Sequence, residues 1–304
     1  MATTKELVAY FSEGIRIPVQ RNIGMEVETS FLTKAGVPIS EATSQEVLTS
    51  LLRRSERNIV TKRGEKIASI EVLRGGGEIE RYLYELGRQN IELSSIVHHD
   101  SKVLFGDVRE SLRRLYQCAQ KHGAYPLQTP LFETGEDLLM VPDERDETWI
   151  QLDGREALKP LATISAVQFT VDVSPDEAIP ALNRLGERIE GFLDDYPQDR
   201  VWRTYVRDSL AGYRSNRYGG PLQFESLTDY CEKLALHDVV QDGKLVPDAK
   251  CDRVDIPLYI RSIWWYFRLK RYGESLCIEV RPLPRREDEL FEKQLQFVFD
   301  AMNL

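Results

Sequence analysis

The sequence predicts an α+β fold, in which a mainly antiparallel sheet has helices packed on its apolar face and a polar, metal-binding face on its other side. Three observations lead to this prediction. Four segments alternate between apolar and polar residues, their polar positions hold carboxylates and amides, and other segments have helical spacing with start and stop signals. No repeat or flexible linker divides the chain, so we expect residues 1–304 to form one domain.

The alternating segments have the length and spacing of half-buried strands. They are residues 22–31, 90–94, 163–173 and 275–281. In each segment, one set of alternate residues is apolar and suits a core. The other set is polar, and together the four segments present Glu26, Glu28, Glu92, Gln168, Asp172, Glu279 and Arg281.

The predicted polar face is rich in carboxylates. Glu26 and Glu28 are two residues apart, so their side chains lie on the same side of a strand at about 6–7 Å. Such neighbours repel each other unless a cation lies between them, and Mg²⁺ prefers oxygen ligands and keeps contact with substrate phosphates. We therefore expect this face to hold Mg²⁺ against a nucleotide, and the alternative interpretation is a solvated sheet with ordinary exposed glutamates.

The net charge of −9 argues against general binding to nucleic acids or membrane surfaces. Basic residues are nevertheless concentrated in two stretches, residues 200–217 and 261–286. Guanidinium groups bind phosphates and carboxylates well, and metal ions combined with arginines suit phosphoryl transfer. Small-molecule substrates are therefore the expected partners, and the sequence leaves a homo-oligomer open.

The sequence lacks the motifs that indicate several other classes of protein. There is no P-loop and no nucleophile-elbow motif, and the glycine run at residues 75–77 reads as a turn. The four cysteines are scattered and read as reduced thiols. No stretch of about 18 apolar residues and no signal-peptide pattern occurs, so the expected location is the cytoplasm.

Helices are predicted where caps and helical spacing coincide. One helix is expected to begin at Asp107 and to stop at Gly123. A capping box predicts another from Ser174, with a kink or a later start at Pro180. The remaining expected elements are a shorter helix from Thr43, an amphipathic C-terminal helix from Glu287 and an exposed loop over residues 241–247.

The polar segments resemble, in the same order, the motifs of the glutamate–cysteine ligase family. Residues 24–28 are similar to its first strand with paired glutamates, and residues 85–93 to a motif with two acidic residues seven apart. Residues 163–172 resemble the segment that supplies a histidine or glutamine to the metal site. Residues 278–284 resemble the closing motif, which has a metal-binding glutamate and a catalytic arginine.

This resemblance implies a glutamine synthetase-like catalytic domain that uses ATP and Mg²⁺. The implied enzyme is a ligase that joins the γ-carboxylate of glutamate to an amine, cysteine above all, through an acyl phosphate. Its catalytic residues would be Glu279 and Arg281, and Arg214 and Arg217 fall where the family places nucleotide-binding residues. The implied metal ligands are Glu26, Glu28, Glu85, Glu92, Gln168 and Glu279.

Two alternatives stay open at this point. The same chemistry can serve another carboxylate donor or another amine acceptor. The chain can also be a catalytically silent relative that binds a nucleotide or an amino acid. Trp264, Trp265 and Tyr266 either line an acceptor pocket or belong to the core.

Overall fold

The protein is described by a computed structural model that covers residues 2–52, 57–74, 79–140, 144–241, 243–247 and 254–304. The glycine run at residues 75–77 and Cys251 lie outside the described residues, so the turn and the thiol expected there remain predictions. The described cysteines, Cys118, Cys231 and Cys277, are reduced thiols, as expected.

Most strands belong to one sheet of nine strands, and two short two-stranded pairs lie apart from it. The strand bounds are β1 (Ile23–Thr33), β2 (Arg57–Arg63), β3 (Lys66–Leu73), β4 (Ile79–Tyr84), β5 (Asn90–Ser94), β6 (Ala124–Leu127), β7 (Ala166–Val173), β8 (Tyr218–Gly219), β9 (Val239–Gln241), β10 (Lys244–Val246), β11 (Trp264–Trp265), β12 (Phe267–Tyr272) and β13 (Ser275–Pro284). The order in the large sheet is β12-β13-β7-β1-β5-β4-β3-β2, and β6 also pairs with β1. Each described pairing within this sheet is antiparallel, which confirms the predicted sheet type.

Helices are distributed along the chain between the strands. Their bounds are α1 (Ala2–Ser12), α2 (Glu41–Leu51), α3 (Ser101–Lys121), α4 (Glu144–Asp153), α5 (Arg155–Leu158), α6 (Pro175–Glu187), α7 (Ile189–Leu193), α8 (Gln198–Asp208), α9 (Leu227–Leu234), α10 (Ile256–Arg261) and α11 (Phe291–Met302). None of the described helices combines the length and the apolar character needed to cross a lipid bilayer. Helices and sheet together form the predicted α+β architecture.

The predicted apolar face of the sheet forms the core. Side chains such as Val27, Phe169 and Ile278 are completely buried there. Helices α2, α3 and α6 pack on this face, and α11 packs against α3 and α6. The rings of Phe105 and Phe169 meet edge to face at 6.5 Å. Burial of these groups stabilises the fold and determines which side of each strand faces the helices.

The opposite face of the sheet is polar, as predicted, but it is covered by other elements. Helices α4, α5 and α8 and strand β11 form part of a cavity above the sheet, through Trp149, Leu158, Trp202 and Trp264. The carboxylates of the face, including Glu28, Glu92 and Glu279, are therefore buried. This burial contradicts the alternative of a solvated sheet with ordinary exposed glutamates.

The predicted helix start at Asp107 is wrong. Helix α3 begins earlier, because the Asp100 carboxylate accepts hydrogen bonds from two backbone N–H groups of the first turn, at 2.7 and 3.3 Å. Asp107 lies inside the helix, where its Oδ2 is 2.9 Å from Nε2 of His98. The predicted stop is confirmed, since Gly123 follows the helix with a φ of 69°.

Other helix boundaries are close to those predicted. Helix α2 is capped by Ser40 rather than beginning at Thr43, because the Ser40 side chain accepts from the first turn. The capping box at Ser174 is confirmed, and α6 continues through Pro180 without a later start. Helix α11 follows a 3₁₀ turn, so it begins a few residues after Glu287.

The exposed loop predicted over residues 241–247 contains a strand. Strand β10 pairs with β9 in an antiparallel hairpin. Gly243 adopts a φ of 69° beside the turn, a conformation that glycine reaches without steric cost.

Candidate active site

The antiparallel register gathers the predicted polar residues in the middle of the sheet. Glu28 lies opposite Glu92 on β5, and Glu26 lies opposite Gln168 on β7. Glu279 comes from β13, on the other side of β7. A single cavity of about 230 Å³ is lined by all the residues predicted to bind metal or to act in catalysis, namely Glu26, Glu28, Glu85, Glu92, Gln168, Glu279 and Arg281.

Glu28, Glu85 and Glu92 form an acidic cluster, in which one carboxylate oxygen of each residue lies within 4.8 Å of the others. Glu28 is 8% exposed and Glu92 is 6% exposed. The Ala166 backbone N–H donates to Oε2 of Glu28 at 2.8 Å, and Nε2 of Gln168 donates to its Oε1 at 3.3 Å. Gln168 therefore contacts the acidic cluster and orients one of its carboxylates.

Burial and mutual repulsion disfavour the negative charges of the acidic cluster. Burial, followed by the Glu92 carboxylate, raises the pKa of Glu28 to about 8. Burial, followed by the carboxylates of Glu26 and Glu85, raises the pKa of Glu92 well above its ordinary value. The cluster therefore needs a proton or a cation to offset its charge. Its ligand atoms are all oxygen, the type that Mg²⁺ prefers.

A basic cluster surrounds the buried carboxylate of Glu279. It consists of Arg268, Lys270 and Arg281. Arg268 and Lys270 contact the carboxylate directly, and Nη1 of Arg281 lies 3.3 Å from its Oε2. Although burial alone would raise the pKa of Glu279, these positive charges hold it well below its ordinary value. Nη1 of Arg281 also donates to Oε1 of Gln168 at 2.9 Å, which joins the two clusters.

The arrangement gives Glu279 a different environment from the other predicted metal ligands. Its charge is compensated by the basic cluster, whereas the acidic cluster holds the excess negative charge of the cavity. Lys270 of the basic cluster also lies near Glu26, with its Nζ 4.0 Å from Oε1 of that residue. The geometry therefore favours a metal at the acidic cluster, and direct contact between Glu279 and a metal stays a prediction.

The two arginines predicted to bind the nucleotide, Arg214 and Arg217, do not line the cavity. Arg217 is 1% exposed and donates to two backbone carbonyls, at 2.9 and 3.0 Å. These bonds use its guanidinium within the fold, so a role for Arg217 in binding a nucleotide stays a prediction. Arg214 is exposed. The cavity is lined instead by Arg261, which begins the second basic stretch of the sequence, and by Arg81, which the sequence did not indicate.

The wall of the cavity opposite the charges is aromatic, and we call it the aromatic wall. It consists of Trp149, Trp202, Tyr205 and Trp264. The Trp264 ring centroid lies 5.3, 5.2 and 5.6 Å from those of Trp149, Trp202 and Tyr205, respectively. Trp265 and Tyr266 belong to the buried core. The three helical members escaped sequence analysis, because no local pattern links α4 and α8 to β11.

Solved structures with a similar fold include a ligase. The chain matches no protein-family profile, and no curated protein matches it in sequence. The glutamate–cysteine ligase of Francisella tularensis, solved in complex with AMP, superposes with a TM-score of 0.53 at 13% identity, over 95% of this chain and 67% of that one. A bifunctional glutathione synthetase from Pasteurella multocida gives a TM-score of 0.49 at 11% identity, over 100% of this chain and 41% of that one. The chain therefore shares its overall fold with a glutamate–cysteine ligase, in agreement with the resemblance of its four motifs.

Proposed function

We propose that the protein is an ATP- and Mg²⁺-dependent ligase that joins the γ-carboxylate of glutamate to an amine, with cysteine as the first amine to test. One observation carries the proposal: an all-oxygen acidic cluster and a basic cluster lie together in one cavity. The likeness in fold to a glutamate–cysteine ligase supports it. In this proposal, residues 1–304 act as one catalytic domain of the glutamine synthetase type.

The acidic cluster has the chemistry of a site for Mg²⁺. Its carboxylates are close together, they are buried, and their charge is unfavourable without a cation. Glu28, Glu85 and Glu92 would hold the ion with help from Glu26, while Gln168 orients Glu28. A bound Mg²⁺ would neutralise charge on the phosphates of ATP.

The basic cluster is suited to the phosphoryl group that is transferred. Although burial alone would lower the pKa of Arg281, the Glu279 carboxylate raises it, so the guanidinium keeps its charge. Planar guanidinium groups donate to phosphoryl oxygens with good geometry. In the proposal, Arg281 and Lys270 stabilise the negative charge that develops on these oxygens, and Glu279 holds both side chains in place.

The proposed reaction has two balanced steps. An oxygen of the γ-carboxylate attacks the γ-phosphorus of ATP, the bond from that phosphorus to ADP breaks, and an acyl phosphate forms. The amine nitrogen then attacks the acyl carbon, inorganic phosphate leaves with the oxygen taken from the carboxylate, and the nitrogen loses a proton to give an amide. In the proposal, the cover formed by α4, α5 and α8 limits the access of water to the acyl phosphate, which water would otherwise hydrolyse.

The aromatic wall favours a second candidate, in which the same reaction uses an apolar or aromatic amine. Trp149 and Trp202 are only partly buried, and with Trp264 they form an apolar surface inside the cavity. Aromatic groups gain most from contact with large apolar surfaces, and the cysteine side chain offers little such area. This wall is therefore suited to an acceptor larger than cysteine.

Phosphate release from Mg·ATP tests both candidates. The purified chain is incubated with glutamate or another carboxylate, and with cysteine, apolar amines, aromatic amines or no amine, and the product is identified by its mass. Cysteine-dependent release with the mass of γ-glutamylcysteine supports the first candidate. Release only with an apolar or aromatic amine supports the second.

Two variants serve as controls for this assay. Glu92→Gln should lower turnover by at least about 100-fold, because it removes a carboxylate from the acidic cluster. Glu156→Gln removes a carboxylate whose side chain is 83% exposed and should behave as wild type. No release with any amine, from a folded protein that still binds Mg·ATP, would contradict the ligase and indicate a catalytically silent binding protein.

A further inference from the structure

Tyr196 is a buried phenol in the cavity, and the proposed reaction gives it no role. The residue is 6% exposed and lines the cavity that contains the acidic and basic clusters. Within the described part of the chain, no hydrogen bond engages its hydroxyl. The hydroxyl is not one of the completely buried polar atoms of the described residues, so it is accessible to a ligand in the cavity.

The backbone fixes the position of this phenol. Tyr196 lies in the turn between α7 and α8, where its N–H donates to the Leu193 carbonyl at 3.2 Å and its carbonyl accepts from the Asp199 N–H at 3.0 Å. The nearby Gln198 is fully buried and donates to the Ser165 carbonyl at 2.7 Å. The ring is therefore held in place without any bond from its own hydroxyl, as a preorganised binding group requires.

Charges of both clusters affect the pKa of the Tyr196 phenol. Burial raises the pKa of Tyr196 above its ordinary value, the charge of Arg281 opposes the rise, and the Glu28 carboxylate adds to it. The phenol therefore keeps its proton at neutral pH. A protonated phenol that no residue engages is available to donate a hydrogen bond.

Arg281 also has donors that the described residues leave unused. Its Nη1 is engaged by Gln168 and Glu279, whereas no described residue accepts from its Nε or Nη2. The Arg281 guanidinium and the Tyr196 phenol line the same cavity. Two side chains that line one cavity and each retain a donor unused by the described residues are the arrangement expected where an anionic oxygen binds.

We propose that Tyr196 and Arg281 form an oxyanion-binding subsite, in which the Tyr196 hydroxyl donates a hydrogen bond to an anionic oxygen of the substrate. That oxygen belongs to the transferred phosphoryl group or to the carboxylate donor, since both present an anionic oxygen that accepts hydrogen bonds. The inference rests on the proposed function and adds to it a substrate-binding residue that no sequence motif indicated.

Tyr196→Phe removes only the hydroxyl and therefore tests the subsite directly. Because this hydroxyl has no partner in the described chain, the free energy of unfolding should not fall. The kcat/KM for phosphate release should fall by about 10- to 100-fold, as expected for a hydrogen bond to a charged group.

Tyr213→Phe is the matched control. Tyr213 is also buried, does not line the cavity, and donates to Oδ2 of Asp153 at 2.7 Å. This variant should lose stability and keep the kinetic constants of the wild type, which is the opposite result to that for Tyr196→Phe.

Equilibrium binding identifies which oxygen the phenol contacts. Weaker binding of a non-hydrolysable Mg·ATP analogue to Tyr196→Phe assigns the bond to the phosphoryl group, and weaker binding of glutamate assigns it to the carboxylate. A lower kcat with unchanged binding places the bond in the transition state. Unchanged turnover together with unchanged binding of both ligands overturns the subsite.

The binding measurements also separate this inference from the proposed function. If the wild type releases no phosphate with any amine, the ligase proposal fails, and inorganic phosphate becomes the probe of the subsite. Weaker phosphate binding by Tyr196→Phe than by wild type and Tyr213→Phe then supports the subsite. Equal phosphate binding by all three, or none by the wild type, overturns it.

Discussion

Glu28 and Glu92 lie opposite each other on adjacent strands, a position in which like charges destabilise a sheet. Both carboxylates are buried, and the pKa of each is raised. A cation that binds only the folded protein offsets this repulsion and shifts the folding equilibrium towards the native state. The stability of the protein should therefore depend on whether a cation is bound at the acidic cluster.

Replacement of Glu92 by glutamine should raise the Tm of the metal-free protein and abolish the increase in Tm that Mg²⁺ causes. Without Mg²⁺, Glu92→Gln should melt about 2 °C or more above the wild type, because a buried repulsion is removed. Added Mg²⁺ should raise the Tm of the wild type and of Glu156→Gln, but not that of Glu92→Gln. Thermal unfolding followed by circular dichroism measures all three. A Glu92→Gln chain that melts below the wild type and retains its full response to Mg²⁺ contradicts the metal assignment.

The pKa of Glu28 gives a pH dependence whose sign can be worked out. Because its pKa rises from an ordinary value of 4.5 to about 8 on folding, the folded state retains a proton that the unfolded chain has released within this interval. The metal-free protein should therefore lose stability as the pH rises from about 4.5 to about 8, and Glu28→Gln should lack this part of the loss. Urea unfolding at several pH values measures the difference. Equally steep losses in both proteins would show that Glu28 does not retain the proton.

Removal of Glu279 should damage the fold as well as the reaction. Glu279→Ala leaves the basic cluster without its buried counter-charge, so the free energy of unfolding should fall by about 3–5 kcal/mol. Glu26→Ala is the comparison, because the Glu26 side chain is partly exposed and its loss should abolish phosphate release in a folded protein. Urea denaturation and the phosphate assay together separate the two effects. If Glu279→Ala is as stable as the wild type, the positive charges of the basic cluster do not need this carboxylate as their buried counter-charge.

Among the structural elements, helix α6 begins with a capping box that the sequence predicted and the structure confirms. Ser174→Ala removes the hydroxyl that donates to Oε2 of Glu177 at 2.9 Å within this box and should lower the free energy of unfolding by about 1 kcal/mol. Thr49→Ala, at an exposed position inside α2, should not lower it. Urea denaturation measures both changes. Equal stability of Ser174→Ala and the wild type would mean that the box contributes little to α6.

Element boundaries could be predicted where the decisive chemistry lies within a few consecutive residues. The capping box at Ser174 and the stop at Gly123 are of this kind. The start of α3 was misplaced because Asp107 resembles a cap, while the residue that caps the helix is Asp100. Strands β9 and β10 were missed because each has only three residues, too few for alternation to be recognised.

At the scale of the whole molecule, the polar face of the sheet could be predicted but its cover could not. Alternation is a local property, so Glu28 and Glu92 were placed on the correct faces of their strands. The cover depends on contacts between distant parts of the chain, such as Trp149 of α4 with Trp264 of β11. The burial of Arg217 could not be predicted for the same reason, since it depends on how distant parts of the chain pack.

Transfer of ¹⁸O from the donor carboxylate to phosphate would reveal the proposed acyl phosphate. The wild-type chain is incubated with Mg·ATP, an amine that supports turnover and glutamate labelled in both oxygens of its γ-carboxylate. The proposed acyl phosphate predicts that each released phosphate carries one ¹⁸O atom, because the oxygen that attacks phosphorus leaves with it. Formation of an amide with unlabelled phosphate, or no phosphate release with any donor and amine, would contradict the account.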